Sequence, residues 1–421
     1  MMRNILTIVA LLALLGGAFV LTNATPIPLP RTVQVVPPVE SKLVCAPMPA
    51  PGVLFFDGAD AITPLGQERA AAAGPTIVDG FEEPAIISGG AGLAGGDAVT
   101  AAAARAHLPC SPPRSGGTIV VPSTASTDLL IVNPDASEAV VDLSLYGVDG
   151  EVEALGARGI AVGPYSSRTI ALSVLVDVDG PVGVVHRASR GRATVVARTD
   201  GPGVLEAATS SSTGTEHLLA GVPAGATTVS VLVTNPGNER ATVQVEALGA
   251  ALGYTPEGGA DITVEPHTST SFGLALSLAG EATGLRVTSD VEVAVALSTG
   301  IETDPASASP VWAATELGAF APAGGTLQLS NPGTKDAEVE ISNGVIDVEP
   351  TTSTVTIPAG VTTTVPMGAT APRGQTVNVV SDSVLFGAIV DVVEGATIVP
   401  LVSLEETETT PVDAEIVPTL R

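Results

Sequence analysis

Three times in this chain an apolar strand pattern runs into Asn-Pro, at Asn133-Pro134, Asn235-Pro236 and Asn331-Pro332, and an alternating pattern follows. The copies lie 102 and 96 residues apart. A period of about 100 residues is the size of one small all-β domain, so the chain reads as a tandem array. Pro has no donor for a strand ladder and Asn bonds its own local backbone, so each Asn-Pro ends a strand. Six positions after the Asn stand Ala139, Ala241 and Ala337; eight after it, Val141, Val243 and Val339; ten after it, Leu143, Val245 and Ile341. Thr242, Gln244, Glu338 and Glu340 fall between them. That alternation predicts one face to a core and one to water. The run before the first Asn, Leu129-Leu130-Ile131-Val132, departs from it by being continuously apolar.

A second signature follows in each copy. Pro164 and Pro266 lie 31 residues after their Asn and Pro358 lies 27 after, each leading into a Ser/Thr-rich strand pattern. A third pair of strand patterns closes each copy, for example Val182–Ser189 with Ala193–Ala197. Six or seven short strands in about 100 residues fit an immunoglobulin-like antiparallel sandwich. A propeller is the rival, but its blades run about 40–50 residues. The expected fold is therefore all-β, with three tandem immunoglobulin-like β-sandwich units after an N-terminal membrane segment. The expected boundaries are 1–24 for the anchor or signal peptide, 25–42 for a Pro-rich linker and 43–115 for a cysteine-bracketed cap. Units at 116–214, 215–309 and 310–404 follow, then an acidic tail at 405–421, read as disordered.

Ile5 to Leu21 is a 17-residue stretch without charge, preceded by Arg3. It reads as a short membrane span with its N-terminus inside, or as a cleavable signal peptide. Both readings export the remainder. In an oxidising compartment Cys45 and Cys110 are expected to pair, with two buried thiols as the alternative. Within the cap, weak periodicity leaves room for one helix near Asp97 to His107. The net charge of −27 opposes binding to nucleic acid or anionic lipid.

Candidate chemistry is sparse. Gly90-Ala91-Gly92-Leu93-Ala94-Gly95 matches G-x-G-x-x-G, but the Pro-rich stretch after His107 cannot supply the second strand of a dinucleotide site, so a Gly/Ala loop is expected. His107, His186, His217 and His267 show no metal-ligand spacing, and Asp177-Val178-Asp179-Gly180 lacks the further ligands of a calcium loop. No G-x-S-x-G elbow marks a serine nucleophile. No catalytic residue, cofactor or metal is assigned. The local anomaly is basic: Arg187, Arg190, Arg192 and Arg198 are four of the 15 arginines in this acidic chain. Arg190-Gly191-Arg192 reads as a hairpin tip. Its arginines either pair with nearby acids or contact an anionic envelope polymer or partner.

The N-terminal span, the Cys-Pro-rich approach to the first unit, Leu130-Ile131-Val132-Asn133-Pro134, Tyr146-Gly147-Val148-Asp149-Gly150 and Pro164-Tyr165-Ser166-Ser167 together resemble a family of exported actinobacterial proteins of unknown function. That resemblance implies a gene neighbourhood with a large glycosyltransferase and brings no catalytic residues. Aromatic residues expected after the second cysteine are missing at Ser111-Pro112-Pro113-Arg114. The expected function is a non-enzymatic extracytoplasmic scaffold or interaction protein of the cell envelope. Its partner would be an envelope protein, a glycosyltransferase by resemblance, or cell-wall polymer. The alternative is a glycan-binding array assisting polymer assembly; only Trp312, Tyr146, Tyr165 and Tyr254 could serve as exposed aromatics.

Overall fold

The computed structural model describes residues 41–405, apart from 102–103, 279, 302–303, 323, 346–347, 368–373 and 394–395. The expected anchor and most of the linker and acidic tail lie outside the described residues. The body is all-β with antiparallel sheets; its helical elements are the single turns Leu172–Leu175 and Ala275–Ser277. No helix among the described residues is long and apolar enough to cross a membrane.

Each unit is organised by a central strand path that leaves one sheet and enters another. In the second Asn-Pro unit this is a single strand, Thr283–Ile301. Its first half pairs with Gly214–Val222 and Ala241–Leu248, and its second half with Thr228–Asn235 and Asp304–Ala308. Gln375–Asp391 does the same in the third unit. In the first, the path breaks in two. Val182–Arg190 pairs with Gly116–Val121 and Ala139–Gly147, and Thr194–Gly201 pairs with Thr127–Asn133 and Val204–Thr209. The expected pairing of these two segments with each other is therefore corrected. Arg190-Gly191-Arg192 is a corner between sheets, with Gly191 at φ 68° making the turn. The repeated Ala, Val and Leu/Ile positions are all buried between the two sheets of their units.

The cap is corrected more deeply. Asp97 to His107 forms no helix; strands Ala85–Ala101 and Ala104–Pro109 pair as a hairpin there, and Gly90 to Gly95 lies inside the first of them. Ala-rich sequence favours helix only weakly, and pairing of Asp97 with both Leu54 and Leu108 overrides it. Glycine permits the close crossing: a Cβ at Gly95 would lie 2.8 Å from the Phe55 carbonyl oxygen. Ala85–Ala101 runs between two sheet regions as Thr283–Ile301 does, pairing with Ser41–Cys45 and then with Ala104–Pro109. The cap is thus a fourth unit of the same plan.

Closure of the units follows one rule. The first strand of a unit meets the segment after its last strand at Val44 and Ser111, Thr118 and Ser211, and Leu218 and Val311. The last unit closes through Leu317 with Ser403. The units then join in a ring. Leu130 and Val132 pack against Val44, Met48 and Leu108 of the cap, whereas Leu129 and Ile131 enter their own unit's core. This explains the continuous apolar run: both of its faces are covered. Val120 packs on Leu232, Ala294 and Ala296 of the second unit, and that unit's core receives Phe386, Ala388 and Ile398 from the third. The third returns to the cap, where Phe320 meets Phe55 edge-on at 5.5 Å and Arg105 pairs with Asp391 at 2.8 Å. The period rules out propeller blades but not ring closure, and the four units close around an axis.

Candidate functional site

The Asn of each Asn-Pro is a buried clamp. Asn133 Nδ2 donates to the carbonyls of Ser137, Val162 and Gly163, and its Oδ1 accepts from Asp135 N–H. Asn235 holds Glu239, Val264 and Gly237 in the same way, and Asn331 holds Lys335, Ile357 and Gly333. The side chain thus ties the Asn-Pro turn to the strand before the second Pro signature. Both repeated motifs are parts of one structural device.

Two joints between units also carry a repeated polar contact, which the sequence did not disclose. Ser269 Oγ donates to the Tyr146 carbonyl at 2.7 Å, accepts from Gly183 N–H at 3.0 Å and meets Thr234 Oγ1 at 2.8 Å. One unit on, Thr362 Oγ1 donates to the Leu248 carbonyl at 2.6 Å, accepts from Gly284 N–H at 3.0 Å and meets Ser330 Oγ at 2.7 Å. A Cβ at Gly183 or Gly284 would stand 2.2 Å from the neighbouring hydroxyl oxygen, so both positions require glycine.

Four short inner strands, Ala104–Pro109, Val204–Thr209, Asp304–Ala308 and Thr397–Pro400, converge on the ring axis. A cavity of about 460 Å³ opens where they and the segments after them meet. Its wall includes His107, Arg114, Ser210, Ser307, Pro400 and Trp312, drawn from all four units. Trp312, the chain's only tryptophan, is 72% exposed there. His107 is 7% exposed, and neither ring nitrogen has a hydrogen-bond partner among the described residues. Burial pushes its pKa down to about 4, so it is neutral at physiological pH. The Arg114 Nε is also without a partner, while its Nη1 donates to Ser212 Oγ at 3.0 Å.

Ser210 Oγ lies 2.6 Å from Nε2 of the buried His186, a pair the sequence analysis missed because 24 residues and no motif separate them. Its chemistry is not that of an activated nucleophile. Burial and the Arg114 charge push the His186 pKa down to about 4, and among the described residues no carboxylate bonds its Nδ1. A Cβ at Gly117 would lie 2.1 Å from Ser210 Oγ, so the pair is packed against backbone. Nearby acids are likewise engaged: Ser307 Oγ donates to Glu206 Oε1 at 2.6 Å, and burial raises the Glu206 pKa.

The four arginines separate. Arg192 Nε and Nη2 bind Asp135 in bidentate fashion at 2.9 and 3.1 Å, and Arg190 pairs with Glu138 at 3.3 Å. The Arg192 hydrogen bonds hold the Asp135 carboxyl below its usual range. Arg187 is exposed on the same sheet. Arg198 is not part of the corner: it is buried on the cap-facing side, where Nη1 donates to the Pro47 carbonyl at 2.7 Å. The later units carry Asp290 and Asp382 at this corner, whose carboxylates accept from Thr242 N–H and Glu338 N–H. The basic corner is therefore specific to the first Asn-Pro unit.

Cys45 and Cys110 form a disulfide beside the Val44–Ser111 closure. Residues 90–324 match the profile of a family described only as a family of unknown function, DUF5719. No curated protein and no solved structure matches the chain.

Proposed function

The chain belongs to this family of unknown function, and from that premise we propose a non-enzymatic scaffold or interaction protein of the cell envelope. Its body is extracytoplasmic, and the N-terminal apolar segment either anchors it or is cleaved. Each Asn-Pro unit is read as an immunoglobulin-like sandwich. The observation that carries the proposal is the disulfide: a covalent lock on one unit of a closed ring fits an oxidising compartment and a rigid display platform. The repeated polar groups support it further, because clamps and joints engage them in structure. The surface that distinguishes one unit from the others is the Arg190–Arg192 corner. Even with Asp135 and Glu138 beside it, this corner presents exposed guanidinium groups to an anionic partner. By resemblance to exported actinobacterial proteins, the partner is an envelope glycosyltransferase or cell-wall polymer.

The test is a crosslinking pull-down from envelope membranes with the full chain and with an Arg190→Glu/Arg192→Glu double variant. The expected result is a discrete partner whose recovery falls severalfold in the variant. Equal recovery with both proteins would remove the corner as the contact. Recovery of nothing above background with either would overturn the scaffold reading.

A further inference from the structure

The outer edge of the first sheet is broken in two of the three Asn-Pro units. Gly150–Val152 and Ile160–Val162 pair with Ala139–Gly147 in the first, and Gly253–Tyr254 and Ile262–Val264 pair with Ala241–Leu248 in the second. The turns between these short strands hold Gly156 and Gly258 at positive φ and fold back on the sheet, where the Ala157 and Gly259 carbonyls accept from Leu143 and Val245 N–H. The third unit has no such break. Its outer strand Val348–Ile357 is a ten-residue strand beside Ala337–Val345, and its register is unbroken from Thr351 to Ile357. The cause is in the sequence: Pro358 follows its Asn by 27 residues, against 31 for Pro164 and Pro266, so the chain is too short for the turn.

A long straight edge offers a row of unpaired N–H and C=O groups, which proteins guard by breaks, charges or covering segments. The first two units break theirs and place Arg158 or Glu257 and Asp261 in the turn. The third does neither. Val348 to Thr354 are all exposed, and Pro350 to Thr356 carry no charge. Among the described residues this strand pairs on one side only.

The chemistry of the edge selects its partner. A basic partner is drawn to the acidic surface of a chain of net charge −27, not to a stretch without charge. Two copies of that chain repel each other least where charge is missing, and residues 350–372 are 23 in a row with none. The acids beside the edge, Glu338 and Glu340, stand one strand further in, and Thr356 Oγ1 donates to Glu338 at 2.9 Å. Edge to edge, the two inner strands lie three strand spacings apart, about 14 Å. That exceeds the screening length of roughly 8 Å at physiological salt. The strand also complements itself. A two-fold axis through Ser353, the midpoint of Pro350 to Thr356, sets two copies antiparallel. Thr352 then stands opposite the partner's Thr354, and Thr351 opposite the partner's Val355, as cross-strand pairs of β-branched side chains.

We propose that Val348–Ile357 is a dimerisation edge, on which a second copy of this chain adds its own Val348–Ile357 as an antiparallel strand. The contact lies outside the arginine corner and does not depend on the scaffold reading. A contact of one strand is smaller than the roughly 1,200 Å² of a standard complex, so it is reversible and its test is a covalent trap.

Both native cysteines are in the Cys45–Cys110 bond, so one added cysteine reports on its own surroundings. Residues directly opposite in an antiparallel pair have Cα atoms about 4.5–5.5 Å apart, within disulfide range. Ser353→Cys in the full chain, mildly oxidised in envelope membranes, is expected to give a disulfide-linked species of twice the chain mass. Val174→Cys, at a position 81% exposed in the first unit, controls for random collision. It is expected to give at least about fivefold less dimer. Adding Thr352→Glu/Thr354→Glu to Ser353→Cys sets like charges opposite each other and is expected to cut the dimer about fivefold or more. Both threonines are exposed, and an unchanged melting temperature shows that the fold survives. Equal trapping at Ser353→Cys and Val174→Cys, or no dimer at Ser353→Cys, would overturn the proposal. So would an adduct of any other mass, which would make the edge a site for a different protein, or hexose on the native Thr351–Thr356 hydroxyls, which would cover it. None of these outcomes changes the pull-down with the arginine variant, so the two readings fall separately.

Discussion

In the cap the chain ends meet at Val44 and Ser111 and are locked by the adjacent Cys45–Cys110 bond; at Thr118–Ser211 and Leu218–Val311 the same meeting has no covalent lock. The three Asn-Pro units instead hold their interiors with the Asn133, Asn235 and Asn331 clamps, for which the cap has no equivalent Asn-Pro. Their cores also differ. Two sheets bury Leu, Ile and Val in the Asn-Pro units, whereas glycines such as Gly89, Gly95 and Gly96 line the strand crossings of the cap. A unit with fewer side chains to bury needs another source of order, and a cross-link that restricts the unfolded chain supplies it.

The largest effect expected from this contrast is on the cross-link. A Cys45→Ser/Cys110→Ser double variant opens a loop whose ends are 65 residues apart, which costs about 4 kcal/mol on the chain-entropy model. Hydrogen exchange should rise first across Ser41–Pro109 and next at the Phe55–Phe320 joint. Exchange that rises evenly through all four units would break the contrast. Asn235→Ala comes second. It leaves the Glu239 and Val264 carbonyls and the Gly237 N–H without their partner, with an expected loss of roughly 3 kcal/mol in denaturant unfolding. A loss below about 1 kcal/mol would show that the clamp only decorates the turn.

The smallest effect is the pH dependence that Asp97 gives the cap. Burial raises the Asp97 pKa to about 7, although Met48 N–H donates to its Oδ2 at 2.8 Å and opposes the shift. Its other oxygen faces Gly52, where a Cβ would be 2.0 Å away. The folded chain holds this proton to higher pH than the unfolded chain, whose carboxyl titrates near 3.8. The stability it contributes is thus full below the unfolded value and lost as pH rises through about 7. Asp97→Asn should remove that loss, making the variant more stable than the parent at pH 8 by on the order of 1–2 kcal/mol. His107 and His186, both lowered to about 4, slope the other way between pH 6.5 and 4. The difference between variant and parent isolates Asp97. Parallel stability curves from pH 4 to 8 would exclude it.

Much of each later unit was legible because its cause is local. Alternation around Ala139, Val141 and Leu143 states which face is wet, and Asn-Pro states where a strand stops. The cap was misread at Asp97 to His107 because Ala-rich composition speaks for helix, while the pairing that opposes it comes from Leu54, far along the chain. The Arg190 corner was seen as a basic anomaly and mistaken for a hairpin. Local sequence gives a turn at Gly191, and only the partners of the flanking strands reveal a change of sheet. The axial cavity was invisible. His107 and Arg114 come from the cap and Trp312 from the 310–404 unit, and no spacing links them.

By itself the sequence determined the strands, the wet and dry faces of the Asn-Pro units and the cysteine pair, since these follow from period-two alternation, turn chemistry and an even thiol count. Tertiary structure alone decided that the cap is a fourth unit, that Ser269 and Thr362 are joints and not surface hydroxyls, and that the last unit returns to the first. Those outcomes rest on contacts between residues such as Phe55 and Phe320 or Arg105 and Asp391. A side chain's partner across such a separation is set by how whole units stack, and no local pattern encodes it.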